Sequence, residues 1–88
     1  MTFKKRVFAE VKKIPCGQTR TYKEIAAALG NPALARAVGN ALHQNEDYHL
    51  VPCYRVLSSQ GRLASHYKFG GKEGQRKLLA AEGLVIED

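Results

Sequence analysis

The sequence predicts a small, mainly α domain with two short helices joined by a tight corner in its middle third. Three observations lead there. Apolar residues recur at helical spacing near the N-terminus, two helix-start signals follow around a Gly-Asn pair, and a last helical stretch runs to a glycine stop. At 88 residues the chain is expected to form one domain, residues 1–88. A chain of this size buries roughly two-thirds of its unfolded surface, enough for one core.

Residues 3–14 place Phe3, Val7, Val11 and Ile14 at spacings of four, four and three, with Lys and Arg between them. That pattern is an amphipathic helix with a basic outer face. "IPCG" ends it, because Pro15 has no backbone donor and Gly17 permits a turn. "TYKE" then has capping-box spacing, with Thr21 as N-cap and Glu24 reaching back. The helix it opens, "YKEIAAAL", stops at Gly30, and Asn31 and Pro32 start the next as N-cap and first helical residue. That helix, "PALARAVGNALHQ", is rich in Ala and Gly and carries one cation, Arg36, until its end. The pair is a helix-turn-helix candidate, since a helix of small residues can lie close against a surface. The same small faces suit packing against another helix, so both readings stay open.

"NEDYH" reads as a loop, "LVPCYRVL" as a short extended segment interrupted by Pro52, and "SSQGR" as a turn. "LASHYKFGG" is a loop with two aromatics and a glycine pair, and "KEGQRKLLAAEG" is a final helix with Gly83 as its stop.

With 44% hydrophobic and 25% charged residues the composition is that of an ordinary globular protein. No apolar run approaches the ~20 residues of a membrane span. The start, "MTFKKRVFAEVKK", lacks the apolar stretch and cleavage site of a secretory signal, so a cytoplasmic protein with no membrane partner is expected. Two cysteines are too few for a disulfide framework and are expected to be reduced thiols. His43, His49 and His66 lack a close Cys or His partner at ligand spacing, so no metal site is expected. The net charge is +6, with seven Lys or Arg against two Glu in residues 1–25. That excess is either a solvated basic surface or a footprint for a polyanion, chiefly nucleic acid.

The six residues "VPCYRV" decide the chemistry. An unactivated thiol has a pKa near ~8.5, so about 3% is thiolate at pH 7. A cysteine beside Val and Leu is usually a small buried hydrophobe. Pro52 argues otherwise: it removes a ladder donor and restricts Val51, so the chain at Cys53 is expected to leave regular sheet and expose a turn. Cys16 sits in a turn without such framing and reads as incidental.

"IPCGQTRTYKEIAAALGNPALARAVGNAL", then Asn45, "VPCYRV", "SSQG", "YKFGG" and "KLLAAEG", resembles the C-terminal domain of the O6-alkylguanine-DNA alkyltransferases, the methylated-DNA–protein-cysteine methyltransferases. The resemblance runs from about Phe3 to Gly83 in one unbroken order. It implies a winged-helix-like helix-turn-helix domain that binds the DNA minor groove and flips a damaged guanine into a pocket, without a cofactor and as a monomer. Arg36 matches the arginine that fills the vacated stack, and Tyr22 the tyrosine that crowds the 3′ phosphate. Cys53 matches the alkyl acceptor, Asn45 the residue bracing its turn, and Glu82 the carboxylate ending a hydrogen-bond relay. Tyr67 falls in the loop that closes over the guanine. Lys23, Asn31 and Ser59 fall at positions that contact DNA. Duplex DNA containing O6-alkylguanine is the implied partner.

Two features depart from the family pattern. Tyr54 stands where active members usually have a histidine that takes the thiol proton. A phenol of pKa near ~10 is a poor base at neutral pH, although it can donate to a thiolate. Glu82, without its usual partner, either bonds Tyr54 or faces solvent. The second departure is length: a single domain without the N-terminal α/β domain of full-length members is expected, as in the alkyltransferase-like proteins, which commonly replace the acceptor cysteine with tryptophan. The expectation is a slow alkyl acceptor. The alternative is a lesion-binding protein that flags damage for another repair-pathway protein, and a plain helix-turn-helix regulator stands third.

Overall fold

The computed structural model describes residues 2–65 and 67–86. Thr2 opens the first helix, α1 (Phe3–Lys12), by accepting from the Lys5 N–H at 3.2 Å. Its Val7 and Val11, with Ile14 just beyond the helix, are buried, while Lys4, Lys5, Lys12 and Lys13 stay exposed. Arg6 reaches across to the Leu29 carbonyl at 3.2 Å, satisfying an acceptor that the end of α2 (Tyr22–Ala28) leaves open.

The capping box forms as its spacing requires. Thr21 Oγ1 accepts from Glu24 N at 3.1 Å, and the Glu24 carboxylate accepts from Thr21 N at 2.8 Å. Gly30 then takes a left-handed φ of 106°, and Asn31 accepts from Ala33 N at 3.0 Å. The following helix is not α from its start. Pro32–Leu34 form a 3₁₀ turn, and α3 runs Ala35–Leu42. Asn31 and Pro32 restart the chain tightly after the corner, and 3₁₀ turns are common at such helix entrances. α2 and α3 pack as a helix-turn-helix, with α1 against both.

A short feature escaped sequence reasoning. β1 (Arg20–Thr21) pairs in parallel with β2 (Val56–Leu57), Arg20 opposite Val56 and Thr21 opposite Leu57. This pair fixes the start of α2 beside the segment that follows Cys53. The expected extended run "LVPCYRVL" is therefore mostly wrong. Leu50 and Val51 N–H both turn back to the Asp47 carbonyl, and Cys53–Arg55 is a 3₁₀ turn, leaving only Val56–Leu57 extended. Pro52, with no N–H to give, is where the ladder cannot continue.

The last helix, α4, runs Gly71–Ala80 and is closed by Gly83 at φ 85°. The main core joins Val7, Val11, Ile14, Ile25, Val38 and Val56; a smaller one under α4 joins Leu57, Leu63 and Leu79. Among the described residues no helix is long and apolar enough to cross a membrane.

Candidate alkyl-acceptor site

Cys53 begins its 3₁₀ turn with its side chain inward, only 5% exposed. The turn expected to expose it instead buries it, because the Asn45 side chain fills the turn from behind. Asn45 Nδ2 donates to the Val51 carbonyl at 2.9 Å and to Cys53 Sγ at 3.2 Å, while its Oδ1 accepts from Asp47 N at 3.3 Å. The thiol faces Tyr67 Oη at 3.8 Å. Burial pushes the Cys53 thiol up, and the Asn45 and Tyr67 hydrogen bonds and the Lys68 charge only partly offset it. The resting side chain is a protonated thiol.

The sulfur is nevertheless not sealed in the core. It shares a recess with Tyr22, Gly39, Leu42, Tyr67 and Lys68, with His43 at the rim, and about 20 Å³ of free space. That is room for about one water. Burial, then the neighbouring Cys53, push the Tyr22 phenol up, so it stays a neutral donor. Tyr67 is pushed up further by the same two causes.

Tyr22, Gly39 and His43 also line a wider groove of about 490 Å³ that includes Arg36 and Asn40 of α3. Arg36 is exposed there, and the small residues Ala35 and Gly39 keep the groove floor low. Recess and groove thus adjoin, with Tyr22, Gly39 and His43 lining both. Lys23, Asn31 and Ser59 are exposed but line neither space, and Asn31 is engaged as a helix cap.

Tyr54 and Glu82 meet, and among the described residues neither hydrogen-bonds the sulfur. Tyr54 Oη donates to Glu82 Oε2 at 2.5 Å, Arg55 donates from Nη2 at 2.7 Å and from Nε at 3.0 Å, and Gly17 N donates at 3.0 Å. Burial alone would raise the Glu82 carboxyl. The hydrogen bonds from Arg55, Gly17 and Tyr54 outweigh it and hold the group down to about 2. The Tyr54 phenol is pushed up to about 12 by burial and by its bond to Glu82. Tyr54 therefore bonds Glu82 and not the thiol, and among the described residues the relay ends before Cys53.

Sequence reasoning missed three residues that build this site. Gln75 is fully buried and bonds Ala64 N at 2.7 Å and the carbonyls of Tyr54 and Val56 at 2.9 Å each. Its position one helical turn before Leu79, on the same face, was the available signal. Arg55 also donates to the Ile14 carbonyl at 2.9 Å, tying the thiol's turn to the end of α1. Lys68 donates to the Asn45 carbonyl at 2.8 Å, and nothing in its sequence neighbourhood announces that. No group of three or more His, Cys, Asp or Glu that could hold a metal occurs among the described residues, and His66 lies outside them.

Residues 2–84 match the family described as 6-O-methylguanine DNA methyltransferase, DNA binding domain. The chain belongs to that family. Within it, the chain is 43% identical over 81 residues to the methylated-DNA–protein-cysteine methyltransferase of Methanosarcina acetivorans, covering 92% of this chain and 51% of that protein. It is 43% identical over 74 residues to the Mus musculus protein of the same name, covering 84% of this chain and 35% of that one. The chain thus spans about half or less of these relatives' lengths. The fold matches Mycobacterium tuberculosis OGT in complex with DNA at a TM-score of 0.84 and 41% identity, over 94% of this chain and 49% of that one. It also matches S. pombe Atl1 in complex with damaged DNA containing O6-carboxymethylguanine, at a TM-score of 0.86 and 35% identity, over 98% of this chain and 80% of that one.

Proposed function

We propose that this chain is a cytoplasmic, monomeric DNA-repair protein that flips O6-alkylguanine out through the minor groove and accepts its alkyl group on Cys53. One observation carries the reading: a single thiol lies in a recess that shares Tyr22, Gly39 and His43 with the groove that holds Arg36. A base inside a duplex is out of a nucleophile's reach, and extruding it costs a few kcal/mol. Arg36 enters the vacated stack and offsets part of that cost. Ala35 and Gly39 let α3 approach a groove only ~6 Å wide. Tyr22 crowds the phosphate, and Lys23, Asn31 and Ser59 contact the backbone outside the groove.

The transfer is one displacement. The thiol proton leaves to solvent, and the Cys53 sulfur forms a bond to the alkyl carbon as the carbon–O6 bond breaks. The electron pair goes to O6 of guanine, which then takes a proton from water. Tyr22 donates to the leaving base while its negative charge develops. Asn45 aims the sulfur and Tyr67 closes one wall of the base pocket. The product is a thioether, so each molecule turns over once.

Intact-mass spectrometry after incubation with a duplex carrying one O6-methylguanine tests this. A gain of one methyl on the wild type and none on Cys53→Ala is expected; an unchanged wild-type mass refutes transfer. A second reading has its own observation. Tyr54 and Glu82 are bonded to each other, and burial keeps the thiol protonated. On that reading the protein binds the lesion and flags it for a repair-pathway partner, and tight lesion binding with no mass change is its signature.

A further inference from the structure

The recess contains one side chain whose charge no part of the proposed mechanism uses. Lys68 lies on the loop between Ala64 and α4, directly after Tyr67, and lines the recess together with Cys53. Its Nζ donates to the Asn45 main-chain carbonyl at 2.8 Å, while the side chain of the same Asn45 reaches Cys53 Sγ at 3.2 Å. The ammonium therefore joins the loop over the thiol to the residue that aims it.

The charges around the sulfur make this cation stand out. Tyr22 and Tyr67 face it as neutral phenols. His43 at the end of α3 contributes an imidazole at the recess rim. Behind the turn, Glu82 and Arg55 compensate each other at 2.7 Å with Tyr54 bonded between them. The Lys68 side chain brings a positive charge and three N–H donors. Burial is the force holding the thiol protonated, and a nearby positive charge opposes it.

We propose that Lys68 is the cationic positioning residue of Cys53, holding Asn45 in place by its carbonyl and favouring the thiolate by its charge on the recess wall. The proposal deepens the acceptor reading of Cys53 and rests on it for its biological meaning, but its chemistry can be read without DNA. The same bond would have to yield when a purine enters, because the recess now holds about 20 Å³.

The test titrates the thiol directly. The full chain carrying Cys16→Ser keeps Cys53 as its one cysteine. Its rate of alkylation by iodoacetamide is followed by intact mass from about pH 6 to about pH 10, the span around a free thiol's ~8.5. Lys68→Met and Lys68→Arg are compared in the same background, with melting curves to establish that each is folded. Lys68 is exposed, so neither change opens a cavity. Expected for Lys68→Met is a midpoint raised by about half a unit to one unit, the low end of charge effects because the lysine is solvated. Alkylation below the midpoint then slows about three- to tenfold, while the high-pH plateau is unchanged. Lys68→Arg keeps the charge and the wild-type midpoint. Superimposed profiles for wild type and Lys68→Met overturn the proposal, as does a Lys68→Arg profile shifted like that of Lys68→Met. Methyl transfer from an O6-methylguanine duplex is measured in parallel. Shifted titration without any transfer refutes the acceptor reading and leaves the role of Lys68; transfer with unshifted titration refutes Lys68 alone.

Discussion

Replacing Glu82 by Gln keeps the shape of the side chain and removes its charge. The wild-type carboxylate is 9% exposed and takes hydrogen bonds from Arg55, Tyr54 and Gly17, each 27 or more residues away from it in sequence. Its pKa falls from the ordinary 4.5 to about 2 on folding. A depressed folded pKa means that the stabilisation is fully present above the unfolded value and is lost as pH falls through the folded one. The pH window is therefore about 4.5 down to about 2. At ~1.4 kcal/mol per unit, the shift corresponds to about 3 kcal/mol at neutral pH. In Glu82→Gln the Arg55 guanidinium, 15% exposed, keeps its burial and loses its counter-charge. The expected loss is about 2–3 kcal/mol, or roughly 10–15 °C in Tm for a domain of this size. Urea unfolding followed by circular dichroism, at pH 7 and in steps down to about pH 2.5, measures it. The gap between variant and wild type should narrow steadily as the pH falls below about 4.5. A variant as stable as wild type at pH 7 would refute the argument, and so would a gap that stays constant through the acid range.

Arg36→Ala should leave the melting temperature unchanged, since the side chain is exposed, yet abolish lesion binding and transfer; a fluorescent base analogue that still reports flipping would remove its stacking role. Affinity for duplex DNA should fall steeply with salt, log K against log [salt] sloping by about −0.9 for each phosphate neutralised, and a flat response would remove the polyanion reading. Gln75→Leu leaves the Ala64 N–H and the Tyr54 and Val56 carbonyls without their partner. Its expected destabilisation is about 3 kcal/mol in urea unfolding, and a loss under about 0.5 kcal/mol would show that the clamp is dispensable.

What was legible in the sequence is what closes over a few residues. Thr21 and Glu24 cap each other across one turn, Asn31 caps its neighbour's N–H, and Val7, Val11 and Ile14 share a face by spacing alone. Glycine positions 30 and 83 marked helix ends because both take left-handed φ. What was not legible spans long sequence distances. The β1–β2 pair is two residues on each side, too short to show a period. The burial of Cys53 depends on an Asn45 bond across eight residues and on a loop arriving from Tyr67. Whether Glu82 met Tyr54 or solvent depended on Arg55 and Gly17, neither of which carries a pattern. The motif thus placed the thiol in the sequence, while its charge environment came from segments the motif does not contain.

Tyr54 gives the sharpest consequence of that environment. It sits where a base could serve the thiol, and it bonds a carboxylate instead, helping to tie the end of α4 to the Cys53 turn. On the acceptor reading this exchanges rate for stability. Full activation of a free thiol from ~8.5 to well below 7 raises the thiolate fraction at pH 7 about 30-fold, and more for one that burial pushes up, so its loss slows transfer without ending it. Tyr54→His should reverse the exchange. It loses a charge-assisted hydrogen bond worth ~1.5–3 kcal/mol and shortens a half-buried side chain, so unfolding should come at lower urea. It also adds an imidazole on the residue next to Cys53, so methyl transfer should quicken at neutral pH, by about 30-fold or more if the thiol becomes fully activated. Both quantities come from one preparation, by urea unfolding and by the time course of methylated mass. A variant that is less stable and no faster would mean that geometry, and not proton removal, limits the reaction of Cys53. A variant that is faster and equally stable would mean that the Tyr54–Glu82 bond contributes little beside Arg55.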